Sequence, residues 1–159
     1  MVMDLLRSLL NRDEPDYTKA AKLGAEAIPY LLELVKGAEP RLAPRAVYTA
    51  SLINNEQAVN VLEEGMKSLI PQIRVAAAAA VRHQPNHVGN KFIPPLLEDN
   101  DIGVVKVTLQ SMRLSKNKEM KSEVEKLAQK IGDQVDATPE GAKSNEYILN
   151  LTKIVLEDV

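Results

Sequence analysis

Seven cations and no carboxylate occupy three segments of this chain, Arg41 to Ile53, Pro71 to Arg82 and Ile102 to Lys116. They are Arg41, Arg45, Arg74, Arg82, Lys106, Arg113 and Lys116. A guanidinium makes paired hydrogen bonds to carboxylate or phosphate, so the pattern is one for gripping acidic groups. If the segments are helices, residues three or four apart share a face. Arg45 with Thr49, Arg74 with Ala78 and Arg82, and Lys106 with Gln110 and Arg113 then form parallel strips. Tyr48 is the only aromatic residue in the three segments. Arg45, Arg74 and Lys106 equally suit bridging adjacent units or sitting at helix C-termini, where a cation stabilises by about 0.3 to 1 kcal/mol.

Other candidates for chemistry fall away. His83 and His87 are four apart, but Pro85-Asn86 between them interrupts a helix, and a zinc site needs three or four suitable ligands in a chain that has no cysteine. They read as two loop histidines. The Glu63-Glu64 and Asp99/Asp101 pairs read as solvated turns, because nothing in the sequence gives either an apolar pocket to separate its pKa values. A phosphate-binding glycine loop and a serine elbow are both absent. No catalytic residue, metal site or cofactor is expected, and the chain reads as a non-enzyme.

These cations belong to 159 residues with a formal charge of -2, so any cationic surface must be local, balanced by acid elsewhere. The hydrophobic share is 45% and the aromatic share 3%, with one Phe and no Trp. The core must therefore be built from Leu, Ile, Val and Ala, which suit closely packed helices. The length fits one domain. Met1 to Leu10 is apolar at helical spacing, but Asp4 and Arg7 interrupt it and no basic leader precedes it, so it does not read as a signal peptide. No stretch approaches the roughly 18 apolar residues of a membrane span, and a cytoplasmic location is expected.

The elements that would position the cations recur. Apolar helix starts lie at Ala27-Ile28-Pro29-Tyr30-Leu31-Leu32, Ala58-Val59-Asn60-Val61-Leu62 and Phe92-Ile93-Pro94-Pro95-Leu96-Leu97. Each is followed by a second helical stretch with Arg45, Arg74 or Lys106 near its start. From Ile28 to Val59 is 31 positions and from Val59 to Ile93 is 34, while Arg45 to Arg74 is 29 and Arg74 to Lys106 is 32. Such a period means helical hairpins that must stack to bury their apolar faces.

Three repeats are expected over residues 24–115. The first has helix A at Ala27–Lys36 and helix B at Arg41–Ile53, with Gly37 and Pro40 as punctuation. The second breaks at Gly65–Pro71 and has helix B at Pro71–Arg82. In the third, helix A spans Phe92–Glu98 and helix B Ile102–Leu114. Residues 1–23 form a capping hairpin that buries Leu5, Leu6, Leu9 and Leu10. Residues 116–159 form capping helices. Glu119–Ile131 carries the stripe Met120, Val124, Leu127 and Ile131. After a linker at Gly132–Thr138, Thr138-Pro139 starts a last helix that buries Tyr147, Ile148, Leu151, Ile154 and Val155.

At Gly24-Ala25-Glu26-Ala27-Ile28-Pro29-Tyr30-Leu31-Leu32-Glu33-Leu34, and again at Ile73-Arg74-Val75-Ala76-Ala77-Ala78, the chain resembles HEAT-repeat proteins, in particular the short HEAT-like repeats of the bilin lyase (PBS lyase) type. The resemblance covers roughly residues 15 to 130 and lacks the signatures of tetratricopeptide and ankyrin arrays. It implies an all-α fold, an α-α superhelix or HEAT-like solenoid of about four to five helical hairpins, with B helices on the concave side. HEAT-like repeats often pair the basic residue of helix B with an Asp in the turn before it. Here only the third unit offers one, Asp99 or Asp101, which leaves Arg45 and Arg74 available for other contacts.

The expectation is therefore a protein-protein interaction scaffold. It would bind another protein or an acidic peptide through Arg45, Tyr48, Arg74, Arg82, Lys106, Gln110 and Arg113. The resemblance also implies an alternative, a bilin lyase-like chromophore-handling role needing an apolar cleft with cations for propionates. A third reading is a toxin-neutralising or regulatory partner in a bacterial two-gene system, for which the sequence pattern is the same as for the first. Nucleic acid ranks below these, because the net charge is negative and aromatic side chains for base stacking are scarce.

Overall fold

Helix punctuation in this chain is done by proline, aspartate and a few left-handed residues, and it divides the computed structural model into ten α-helices among the described residues, 1–133 and 138–158. Those residues contain no strand. The first helix, α1 (Val2–Leu10), buries Leu6, Leu9 and Leu10, while Leu5, expected inside, is 44% exposed. In α2 (Tyr17–Ala21) the Asp16 carboxylate accepts the Lys19 backbone N–H and so caps the first turn. A short 3-10 turn over Gly24–Ala27 leads into α3 (Ile28–Gly37).

The expected end of α3 shifts by one residue. Gly37 is the last helical residue, and Ala38 takes the left-handed conformation, φ 55°, with its N–H bonded to the Val35 carbonyl. The half-buried Ala38 side chain packs against the core, and this apolar contact accompanies the strained position. Helix α4 (Leu42–Ser51) follows. Its Pro44 lies in the first turn, where a missing N–H has no intrahelical partner to lose.

Helices α5 (Ala58–Met66) and α6 (Pro71–Ala80) form the next hairpin. Gly65 is not the break the sequence indicated. It lies inside α5, where a Cβ would come within 2.9 Å of a Val47 methyl carbon, so the glycine lets α5 approach α4 closely. The alanine run of α6 serves the same end: Ala77, Ala78 and Ala80 are buried, and α6 packs on α4, α5 and α8, with Ala77 facing Gly65 of α5.

The third hairpin departs most from expectation. Helix α7 spans Asn86–Leu97, beginning six residues before Phe92, with Pro94 and Pro95 inside it. Those prolines resemble a first turn in sequence, yet Pro85 in extended conformation sets the true start. Burial of Phe92, Ile93, Leu96 and Leu97 holds the helix together through two missing N–H groups. Helix α8 (Ile102–Ser115) is capped by Asp101, whose carboxylate accepts the Gly103 and Val104 N–H groups at 2.9 and 3.3 Å. It ends at Lys116 in left-handed conformation.

Helix α9 is Lys121–Asp133, with Val124, Leu127 and Ile131 buried and Met120 half-buried. Helix α10 is Pro139–Asp158, started by the Thr138 hydroxyl, which accepts the Gly141 N–H at 3.1 Å. Of the expected linker at Gly132–Thr138, residues 134–137 lie outside the described residues. Ile148, Leu151 and Val155 are buried as expected, but Tyr147 and Ile154 are 46% and 37% exposed.

Packing follows chain order. Helix α4 lies along α6, α6 along α8 and α8 along α10, while α3 contacts α4 and α5, and α5 contacts both α4 and α6. Helix α7 packs on α8 and α9, and α2 packs on α4. The aliphatic core runs without interruption from Leu6 to Val155, so each hairpin buries its apolar side on its neighbours. Among the described residues no helix is long and apolar enough to cross a membrane.

Candidate functional site

Helix α4, helix α6 with the 3-10 turn that follows it over Val81–His83, and helix α8 carry all seven of the sequence-derived contact residues, and the structure divides those residues into two groups. Arg45 and Arg74 are committed to intramolecular bonds. One nitrogen of the Arg45 guanidinium donates to the Leu10 carbonyl at 2.7 Å and the Arg12 carbonyl at 2.6 Å, closing the C-terminal end of α1. The carbonyls there carry the negative end of the helix dipole, which a guanidinium complements.

Arg74 donates from Nε to Asp99 Oδ2 at 2.8 Å and from a terminal nitrogen to Oδ1 at 3.1 Å, with a third bond to the Ser68 carbonyl at 2.9 Å. This corrects two expectations. Arg74 is not available, because the acid that pairs with it comes from the following hairpin and not from its own. Asp99 is not a solvated turn residue, since it joins that pair and also accepts the Asp101 N–H at 2.8 Å. Burial pushes the Asp99 carboxyl up, but the hydrogen bonds from Arg74 and the Asp101 backbone, with the Arg74 charge, hold it below the usual range. The hydrogen bond to Asp99 raises Arg74 correspondingly.

Of the other five, Tyr48, Arg82, Lys106 and Gln110 are half-buried, as Arg45 and Arg74 are, and Arg113 is exposed. Tyr48 sits between two rings, with its centroid 5.0 Å from Tyr17 and 5.4 Å from His83, both edge-on. The Tyr48 hydroxyl and His83 Nε2 are hydrogen-bonded at 3.0 Å. Burial, and then the Arg82 charge, holds the His83 pKa below its ordinary value. Arg82 reaches across to α8, donating from Nε to Ser111 Oγ at 3.3 Å, while the Ser111 hydroxyl donates to the Ala78 carbonyl at 2.6 Å. The Lys106 ammonium lies 4.6 Å from the centre of the Tyr147 ring, a cation-π contact between α8 and α10. Gln110 and Arg113 line a hollow of about 930 Å3 between the same two helices.

Sequence reading missed Tyr17, His83 and Tyr147 as parts of this surface. The signal for the first two was present: Tyr17 precedes Tyr48 by 31 positions and His83 follows it by 35, close to the repeat period. The sequence places His83 in a loop with His87. Instead it ends a 3-10 turn over Val81–His83, and His87 opens α7, so the two lie on separate elements. Both border a second hollow of about 700 Å3, along with Gln84, Glu56 and Lys91. Among the described residues no three histidine or carboxylate side chains converge as a metal site would need. Glu63 and Glu64 lie on α5, not in a turn.

Comparison of the chain with protein-family models, with curated proteins and with solved structures finds no match.

Proposed function

We propose that the chain is a HEAT-like α-solenoid without catalytic activity that binds another protein along the row formed by α4, α6, α8 and α10. The observation that carries this reading is the makeup of that row: α4, α6 with its following 3-10 turn, and α8 contain no carboxylate, and their partly or fully accessible side chains include Tyr48, Arg82, Lys106, Gln110 and Arg113. Rings and guanidinium groups of this kind supply large contact area and directional hydrogen bonds at protein interfaces. In this reading Arg45 and Arg74 are framework residues, and the other five are contacts.

The test is charge reversal away from the framework. Arg82→Glu combined with Arg113→Glu should reduce capture of protein partners at least tenfold while the circular dichroism spectrum and melting temperature stay near wild type. Undiminished capture by the folded double variant would refute the assignment. Capture that falls steeply with salt and is competed by single-stranded nucleic acid would favour phosphate as the true ligand.

A further inference from the structure

The hollow of about 700 Å3 beside His83 lies between two stretches of chain that bring it opposite charge. Residues 51–60 run from the end of α4 into α5, and among the described lining residues they contribute Glu56 and no cation. Residues 83–91 run from the end of the 3-10 turn into α7, and they contribute His83, His87 and Lys91 and no carboxylate. Glu56 and Lys91 do not close on each other. Among the described residues neither side chain forms an ion pair or a hydrogen bond, so both charges stand open to an occupant.

Two hydrogen bonds hold the sides of the hollow in place. The Tyr48 hydroxyl and His83 Nε2 are bonded at 3.0 Å, and Gln84 Nε2 donates to the Ser51 carbonyl at 3.3 Å. Both join α4 to the segment after α6, which places polar lining groups before anything binds. Burial and the Arg82 charge keep His83 below its ordinary pKa, so Lys91 is the permanent positive charge of its side. His87 and Lys91 are four residues apart and share a face of α7, setting a ring N–H donor near an ammonium. The rest of the lining includes aliphatic surface, with Leu52 37% exposed and Val59 and Val88 half-buried. The volume falls within the roughly 300 to 1,000 Å3 of small-ligand sites.

A simple anion in this hollow would meet Glu56 and a simple cation would meet Lys91, so each is disfavoured by one side. A molecule with both charges suits both sides. From this arrangement we infer that the hollow binds a small zwitterion with an aliphatic body, an α-amino acid or a short peptide, its carboxylate on His87 and Lys91 and its ammonium on Glu56. This site is additional to the partner-binding row and does not depend on it.

The experiment titrates the full 15N-labelled chain with L-leucine and with leucyl-leucine and follows the backbone amide resonances. Saturable shifts centred on residues 51–60 and 83–91 are expected, and the tighter of the two ligands shows which source of the zwitterion the hollow takes. Two blocked forms of that ligand follow, one N-acetylated and one with its carboxylate amidated. Each should bind more weakly by about threefold or more, the effect of losing one exposed ion pair. Glu56→Gln should erase the preference over the acetylated form, and Lys91→Gln the preference over the amide. Circular dichroism of each variant should be unchanged, and Lys36→Gln on α3 should leave both preferences as they were.

Absence of saturable shifts with both ligands, shifts centred elsewhere, or equal binding of the zwitterion and its blocked forms would overturn the inference. So would preferences that survive Glu56→Gln and Lys91→Gln. The partner-binding reading survives each of these results, because its own test lies in Arg82 and Arg113.

Discussion

The Arg74 guanidinium on α6 grips the Asp99 carboxylate through two parallel hydrogen bonds, 2.8 and 3.1 Å long, across 25 residues of chain. Asp99 stands just after α7, so the pair ties one helical hairpin to the next at the point where α8 begins. The same carboxylate accepts the Asp101 N–H, and Asp101 in turn caps α8. A single aspartate thus links the join between hairpins to the start of the following helix.

Removing either partner should cost stability and should do so non-additively. The side chains are only 16% and 11% exposed, so Arg74→Ala or Asp99→Ala leaves a largely buried group short of its bonds, at about 1 to 3 kcal/mol each. Urea titration of both single variants and the double variant should return a coupling energy of about 1 to 2 kcal/mol. A coupling near zero would show that the two side chains do not depend on one another.

The same pair sets an acid limb in the stability profile. Because the folded-state pKa of Asp99 lies below its unfolded value, its contribution is complete above that unfolded value, about pH 4. It is lost as pH falls through the folded value. Urea midpoints measured from pH 6 downward should fall for wild type below about pH 4, and Asp99→Asn should remove part of that fall. Identical acid limbs in the two proteins would rule the pair out as its source.

Arg45 should behave as a latch on the first helix. Arg45→Met keeps the apolar stem but leaves the Leu10 and Arg12 carbonyls without their charged donor, at about 1.5 to 3 kcal/mol. Hydrogen exchange should then speed up selectively in α1 and α2, while α6 and α8 keep their protection. Uniform loss of protection along the chain would contradict a local role.

Gly65→Ala should destabilise although it raises helix propensity. Replacing glycine inside a helix ordinarily gains about 1 kcal/mol, but here the new Cβ meets Val47 carbons at 2.9 and 3.3 Å. Val47 is fully buried and stiff at χ1, so the helices must part, at about 1 to 3 kcal/mol. Combining Gly65→Ala with Val47→Ala should recover part of the loss, which thermal melts of the three variants will show.

The sequence makes helices legible where caps and apolar stripes agree. Pro71 begins α6, Thr138 caps α10, and the Val124, Leu127 and Ile131 stripe is buried. It misleads where a residue type has two uses. Pro94 and Pro95 look like a helix start but sit within α7, because the decisive Pro85 lies upstream of the apolar run. Gly65 looks like a terminator but is a point of close approach, something only the neighbouring helix can reveal. Among the candidate contacts, the cation positions were legible from their period, whereas their partners were not. Asp99 belongs to the next hairpin and Tyr147 to the last helix, and no local pattern connects either of them to Arg74 or Lys106.

The most direct test of the account is to ask which face touches the partner. A photo-crosslinking amino acid placed singly at Tyr48 or Gln110 on the α4–α10 row, and at Tyr30 or Glu33 on α3, can be irradiated in cells that express the chain. The account predicts one discrete protein adduct from both row positions and none from the α3 positions. Adducts from α3 with none from the row would contradict it.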